Sequence, residues 1–425
     1  MSPLVFRRLI AAVVVAGLLA GQAAFAVLAE PRLRPPPPTP VNGRPSAFPS
    51  VLETPADGVP RPEVDAAAAL LADLDTGDLL FSSNPDVRRP VASLTKVMTA
   101  LVTLRRTDPQ DVVRVDPRAV FDNDDFGASS TLGLRSGERI TVEDLLYALL
   151  LGSANDAANA LAYHVAGTLD RFLGLMNATA DRLGMRATVF FSANGLDDRG
   201  RSTARDQLTL VRAADADPLF RTIVATRFRT IPAPRGEDRR IQNRNALLWL
   251  YPGAIGTKTG LTAAARFCLI GAAERDGRRL VAIVLGSPGE PFSAAATLLN
   301  HGFEGYTQTT LVDRGDPLGS VRIRGGTVPV VAGSALDALV PTVALEDVAT
   351  EIVVDPDAAY PPAPGERVAT LTVEVPGLAL GSVPLVVPDV PPPPAVEGPW
   401  WARTFVTVVR AVGDTIGSLA GSATG

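Results

Sequence analysis

Three short runs in this chain hold a hydroxyl, an amine that could act as its base, and groups that could grip a carboxylate. The first is Ser93-Leu94-Thr95-Lys96. Residues three apart share a helical face, so the Lys96 amine can reach the Ser93 hydroxyl. A lysine that is partly buried beside another cation loses its proton more readily and can serve as a general base. The second is Ser153-Ala154-Asn155, a hydroxyl able to relay a proton and an amide able to bind a peptide bond. By itself this pair reads more readily as a helix N-cap. The third is Lys258-Thr259-Gly260, in which a lysine and a threonine could hold a carboxylate. Gly260 would let a ligand backbone come close to the strand.

Composition singles out the same positions. Of the 40 Lys and Arg residues only Lys96 and Lys258 are lysine. Arginine is a broad, permanently charged fork, whereas lysine is compact and can be deprotonated when buried. Two lysines surviving among arginines mark places where arginine would not serve, unless they are the residue of codon drift.

Other chemistries lack their residues. The histidines are His164 and His301, each expected to be structural, and no Gly-x-Ser-x-Gly elbow occurs. Two distant histidines and one cysteine make no metal site, and no cofactor is expected. Cys268, alone in the apolar run Phe267–Ile270, reads as a buried thiol. The acidic pairs Asp124-Asp125 and Asp197-Asp198 read as solvated loops. A net charge of −5 gives no electrostatic case for nucleic acid.

The elements that must position these groups follow from periodicity. Ala67 to Leu74 reads as a buried strand, turning at Asp75-Thr76-Gly77-Asp78 into a return strand at Leu79 to Phe81. Ser93 to Leu104 is apolar on one helical face. Thr141 and Asp144 form a capping box for a helix through Leu149, and helices are expected over 155–165 and 169–183. Strands return at Ala254 to Thr259, Ala265 to Ala273 and Leu280 to Leu285. A last helix runs from Ser293 to His301, with Gly302 read as its stop. Strands from both ends of this region would close one sheet around an inserted helical lobe.

The flanks differ in texture. Residues 1–26 read as a signal peptide, with an uncleaved anchor as the rival, and 27–65 as a proline-rich linker. The region 66–305 is the expected catalytic domain and 306–390 a small all-β domain of short strands between Gly and Pro turns. Within 391–425, a proline spacer precedes a helix with Trp401, Phe405, Val408, Val412 and Ile416 on one face, fit to lie on a membrane surface.

Taken together, the three runs resemble the triplets of the penicillin-recognising serine enzymes, and most closely those of the low-molecular-mass D-alanyl-D-alanine carboxypeptidases. The similarity extends to Pro90–Ala100, to Asn194-Gly195-Leu196 with Ser202–Asp206, and to Asn243-x-Asn245 leading into Gly256–Thr262. More weakly, it continues through Gly365-Glu366-Arg367-Val368 and Val383-Pro384-Leu385-Val386.

The resemblance implies an α/β (α+β) fold: an antiparallel sheet flanked by helices, a helical lobe, and a small all-β domain after it. It implies that Ser93 attacks the D-Ala-D-Ala carbonyl of a peptidoglycan pentapeptide stem and is acylated, with Lys96 taking the proton. Ser153 would relay a proton to the leaving D-alanine. Asn155 would bind the peptide, and Lys258, Thr259 and Gly260 the carboxylate end. The backbone N–H groups of Ser93 and Leu261 would form the oxyanion hole. β-Lactams would acylate the same serine. It also implies export, with the protein held on the outer face of the cytoplasmic membrane. Leu261 stands where an aromatic residue or histidine is common, and Ala265-Arg266 where a small pair is usual. A penicillin-binding sensor without turnover, or a β-lactamase, would carry the same triplets.

Overall fold

The computed structural model describes residues 61–121, 130–376 and 378–389. The expected signal peptide, nearly all of the proline-rich linker, the Asp124-Asp125 pair and the C-terminal helix lie outside the described residues. Among the described residues, no helix is long and apolar enough to cross a membrane.

The first sheet is built from β1 (Ala68–Asp73), β2 (Leu79–Ser83) and three late strands, β7 (Ala254–Thr262), β8 (Arg266–Arg275) and β9 (Arg278–Ser287). Its order is β2-β1-β9-β8-β7, antiparallel throughout. The N-terminal hairpin therefore pairs with the end of the domain, and β7 is left at one edge. Along a strand, successive side chains point to opposite faces. Ala68, Leu70 and Ala72 accordingly join the core beneath the helical lobe, while Ala69 and Leu71 join a second core on the other face. Both faces are covered, so β9 is buried along its whole length and its centre, Leu280 to Leu285, is an unbroken apolar run.

Between β2 and β7 lies the helical lobe. Its axis is α1 (Thr95–Leu104), buried from Thr95 to Thr103. Around it stand α2 (Val142–Leu150), α3 (Asn155–Ala166), α4 (Leu169–Arg182), α5 (Ala204–Asp215) and α6 (Pro218–Ala225). Small ribbons are made by β3 (Val112–Arg114) with β4 (Arg139–Thr141), and by β5 (Phe228–Ile231) with β6 (Arg239–Gln242). The expected cap forms, Thr141 Oγ1 accepting from the Asp144 nitrogen at 3.1 Å. Helices α5 and α6 were not assigned from periodicity, although their caps are in the sequence: Thr203 three residues before Asp206, and Asp217 before Pro218.

A short turn of helix, α7 (Leu247–Leu250), precedes β7, and α8 (Phe292–Gly305) packs on the sheet's second face. The reading of Gly302 as a helix stop is corrected. The helix runs on to Gly305, and Gly302 is buried where a Cβ would stand 2.5 Å from Leu280 and 2.9 Å from Leu71. It is a close-packing glycine, a role that local sequence does not distinguish from a terminator.

From Tyr306 to Val386 the described residues form β-strands, interrupted by one 3-10 helix, Thr342–Asp347. Strands β10 (Tyr306–Val312) and β13 (Leu336–Pro341) form a ribbon. The remaining strands are β11 (Pro317–Ile323), β12 (Gly326–Ala332), β14 (Ala349–Val354), β15 (Arg367–Val375) and β16 (Leu378–Val386), in the order β11-β12-β16-β15-β14. Their apolar faces share a core with α8. His301 lies inside α8 between the rings of Phe81 and Tyr306, and Cys268 is fully buried, both as structural residues.

Candidate active site

Ser93 does not begin α1. It sits in a tight 3-10 turn, Ala92–Leu94, with Lys96 in the first turn of the α-helix that follows. Residues i and i+3 along such a continuous helical path share a face, and Lys96 Nζ lies 2.9 Å from Ser93 Oγ. The turn is strained: Ala92 has φ 47°, in the left-handed region that a Cβ disfavours. Gly195 is seated against it, and a Cβ on Gly195 would collide with the Ala92 carbonyl.

Lys96 is completely buried and has two further partners. It donates to Asn155 Oδ1 at 2.7 Å and to the backbone carbonyl of Asn194 at 2.5 Å. A neutral amine has two N–H bonds and one lone pair. In the neutral form, two acceptors would take the N–H bonds and the lone pair would be left for the serine hydroxyl. Burial is the largest cause holding the Lys96 pKa well below the ordinary lysine range, followed by the positive charges of Lys258 and Arg244, with Asp156 opposing them.

Asn155 opens α3, and the N-cap is Ala154, without a side-chain cap. The N-cap reading of Ser153 therefore fails. Ser153 is buried at φ 60°, a second strained residue of the site. Since the Asn155 carbonyl is taken by Lys96, what remains for a substrate is its Nδ2, a donor. Next along, buried Asp156 accepts from the backbone nitrogens of Leu132, Gly133 and Leu134 at 2.9 to 3.0 Å, pinning the 132–134 segment to α3.

Strand β7 forms the opposite wall. Lys258 is 1% exposed, and its Nζ donates to the Thr259 carbonyl at 2.8 Å. Burial first, then Arg244, lowers its pKa to about 7. Gly260 is closely approached, but by the protein itself: a Cβ there would stand 3.0 Å from the Val91 carbonyl and 3.2 Å from the Ser93 nitrogen. Leu261 follows, more than half exposed, on the edge strand.

The structure thus gathers Ser93, Lys96 and Asn155 into one hydrogen-bonded cluster, with Lys258 close enough to depress the Lys96 pKa. Sequence reasoning missed three contributors. One is the Asn194 carbonyl, because a backbone acceptor leaves no residue type to search for. Another is Arg244, exposed yet near enough to act on both lysines, inside the Asn243-x-Asn245 run. The third is Asp156, next to a residue that was assigned. The acidic pair 197–198 is also more than solvated: Asp197 pairs with Arg199 at 2.6 Å, and Asp198 accepts from Thr262 Oγ1 at 2.9 Å. Among the described residues, no group of histidine, cysteine or carboxylate side chains could hold a metal ion.

The chain is similar to known proteins. The family described as D-alanyl-D-alanine carboxypeptidase matches residues 55–289. The D-alanyl-D-alanine carboxypeptidase DacB2 of Mycobacterium tuberculosis is 42% identical over 257 residues, 59% of this chain and 86% of that protein. DacC of Escherichia coli is 31% identical over 375 residues, 85% of this chain and 92% of that protein. Among solved structures, DacD of Francisella tularensis superposes with a TM-score of 0.66 at 25% identity, covering 79% of this chain and 96% of that one. Penicillin-binding protein 6B of Escherichia coli does so at 0.64 and 29% identity, covering 79% and 100%.

Proposed function

This chain belongs to the D-alanyl-D-alanine carboxypeptidase family, and we propose that it removes the terminal D-alanine from peptidoglycan stem pentapeptides through an acyl-enzyme on Ser93. The observation that carries this reading is the buried Lys96 Nζ, within hydrogen-bond distance of Ser93 Oγ, Asn155 Oδ1 and the Asn194 carbonyl at once.

Lys96 takes the Ser93 proton as Oγ attacks the carbonyl of the penultimate D-alanine. The oxyanion forms between the backbone nitrogens of Ser93 and Leu261, in line with the closeness of the Ser93 turn to β7 at Gly260. The amide C–N bond then breaks, and the proton passes through Ser153 to the departing amine. The departing carboxylate is held by Lys258 and Thr259, with Arg244 adding positive charge. Asn155 donates through Nδ2 to a carbonyl of the stem. Water, deprotonated by Lys96, adds to the ester carbonyl; the C–Oγ bond breaks, Ser93 takes the proton back from Lys96, and the shortened stem leaves. A β-lactam offers its ring carbonyl to the same serine.

We propose further that the protein is exported through residues 1–26 and rests on the outer face of the cytoplasmic membrane through the helix within 391–425. Support comes from the apolar and basic patterning of those segments. Cell fractionation of the full chain and of a chain ending at 390 tests this, and equal membrane recovery of the two would refute the helix contact.

The enzymatic test incubates the purified protein with a diacylated L-Lys-D-Ala-D-Ala tripeptide and with fluorescent penicillin. D-alanine release and stable labelling are expected, and both should vanish in Ser93→Ala. Labelling without release would favour a sensor, and rapid loss of label a β-lactamase.

A further inference from the structure

We propose that Asp198 is a positioning residue for the general base: its hydrogen bond to Thr262 latches to β7 the loop whose Asn194 carbonyl orients Lys96. This deepens, and rests on, the carboxypeptidase reading of the site.

The loop 192–198 is held together by its own hydrogen bonds. Ser192 Oγ accepts from the nitrogens of Gly195 at 2.9 Å and Asp197 at 3.4 Å, and Asn194 Oδ1 accepts from the Leu196 nitrogen at 3.0 Å. Its entry is tied to α1, where buried Thr99 Oγ1 donates to the Ala193 carbonyl at 2.6 Å. Its middle presses Gly195 onto Ala92, the residue before the nucleophile. Its exit is tied to β7 by Asp198 and Thr262. The Asp197–Arg199 ion pair stays within the local turn, and its arginine is largely exposed.

The Thr262 hydroxyl is oriented for this contact. It accepts from the Ala265 nitrogen at 3.1 Å, which leaves its single proton for the Asp198 carboxylate. Thr262 is also the neighbour of Leu261, whose N–H is assigned to the oxyanion. The latch therefore joins the loop that orients the base to the strand that meets the developing negative charge. Releasing it frees the exit of the loop and lets the Asn194 carbonyl drift from Lys96 Nζ. The charged groups facing Lys96 are Lys258 from β7, Arg244 from the turn before α7, and Asp156 from α3. Asp198 is not one of them, so its effect on Lys96 runs through position and not through its own charge.

The sign of the pH effect follows. A carbonyl accepting from Lys96 favours the ammonium form, so weakening that contact lowers the Lys96 pKa further. In Asp198→Ala, kcat/KM for the tripeptide should fall about tenfold, with KM changed less than about twofold, because the amine is misplaced and the substrate grip is not. The acid limb of kcat/KM should move to lower pH. Asp198→Asn removes the charge but keeps an oxygen for Thr262, and should restore the parental limb and most of the rate. In a Thr262→Val background, Asp198→Ala should cost nothing more.

A parental pH profile in Asp198→Ala, an Asp198→Asn as impaired as the alanine variant, or additive losses in the double variant would each overturn the latch. Acylation by fluorescent penicillin is timed in parallel. A parent that labels but releases no D-alanine would defeat the carboxypeptidase reading alone. Parental labelling rates in Asp198→Ala would defeat the latch alone.

Discussion

The α-carbon of Gly260 faces the Ser93 turn so closely that a Cβ there would stand 3.2 Å from the Ser93 nitrogen. Strand β7 and the nucleophile's turn are one packed unit, and the proposed oxyanion donors lie on its two sides. Gly260→Ala should push them apart by a few tenths of an ångström. Loss of a whole oxyanion donor costs about 100-fold or more in rate, so a partial displacement should cost about 10-fold. Penicillin acylation should slow by that factor while the melting temperature stays near that of the parent.

Lys96→Arg should abolish acylation. Arginine keeps the charge but cannot give up a proton to become a base. Burial and two neighbouring cations leave Lys96 deprotonated far more readily than an ordinary lysine, and the site depends on that. Time-resolved labelling with fluorescent penicillin is the check, and a retained signal would remove Lys96 from the base role. Lys258→Arg should be the milder change, since Lys258 contributes charge.

The pH profile should be bell-shaped. Activity falls at low pH as Lys96 gains the proton it must not carry. Lys258, held at about 7 by burial and Arg244, loses its charge as pH rises through that value in the free enzyme. Carboxylate binding then weakens, which gives kcat/KM an alkaline limb. A bound carboxylate favours charged Lys258, so the limb in kcat should lie at higher pH. Arginine does not titrate in this range, so Lys258→Arg should flatten the alkaline limb and leave the acid limb. Initial rates across pH for both enzymes decide this.

Asp156→Ala should destabilise the helical lobe by about 2 to 4 kcal/mol, because a buried carboxylate that satisfies several backbone N–H groups is lost and they stay buried. The N–H groups concerned belong to Leu132, Gly133, Leu134 and Ala157. Denaturant titration measures the loss.

Gly302→Ala should cost about 1 to 3 kcal/mol by overpacking, since the added methyl meets Leu280 and Leu71 across the α8–sheet interface. A helix that stopped at Gly302 would tolerate the change. Thermal unfolding distinguishes the two.

Sequence alone determined the candidate site of this protein and the outline of its frame. Ser93, Lys96, Ser153, Asn155 and Lys258 could be named because each function requires a particular side chain, and types and spacings are written in the chain. The strands β1, β8 and β9 were legible because apolar runs bounded by turn residues are local patterns. The all-β region after Tyr306 was legible for the same reason, although β10, β12 and β13 were passed over.

Tertiary structure decided what depends on approach between distant segments. The Asn194 carbonyl on Lys96 is a backbone atom brought 98 positions along the chain. The strain at Ala92 and Ser153 is imposed from outside, on residue types that do not seek positive φ. Gly260 and Gly302 are glycines because another element passes within contact, and the sequence records only that a side chain is missing. The two lysines could be found by composition, but their lowered pKa values arise from burial and from nearby positive charge, Lys258 and Arg244 acting on Lys96 and Arg244 on Lys258, which exist only once the fold has brought these residues together.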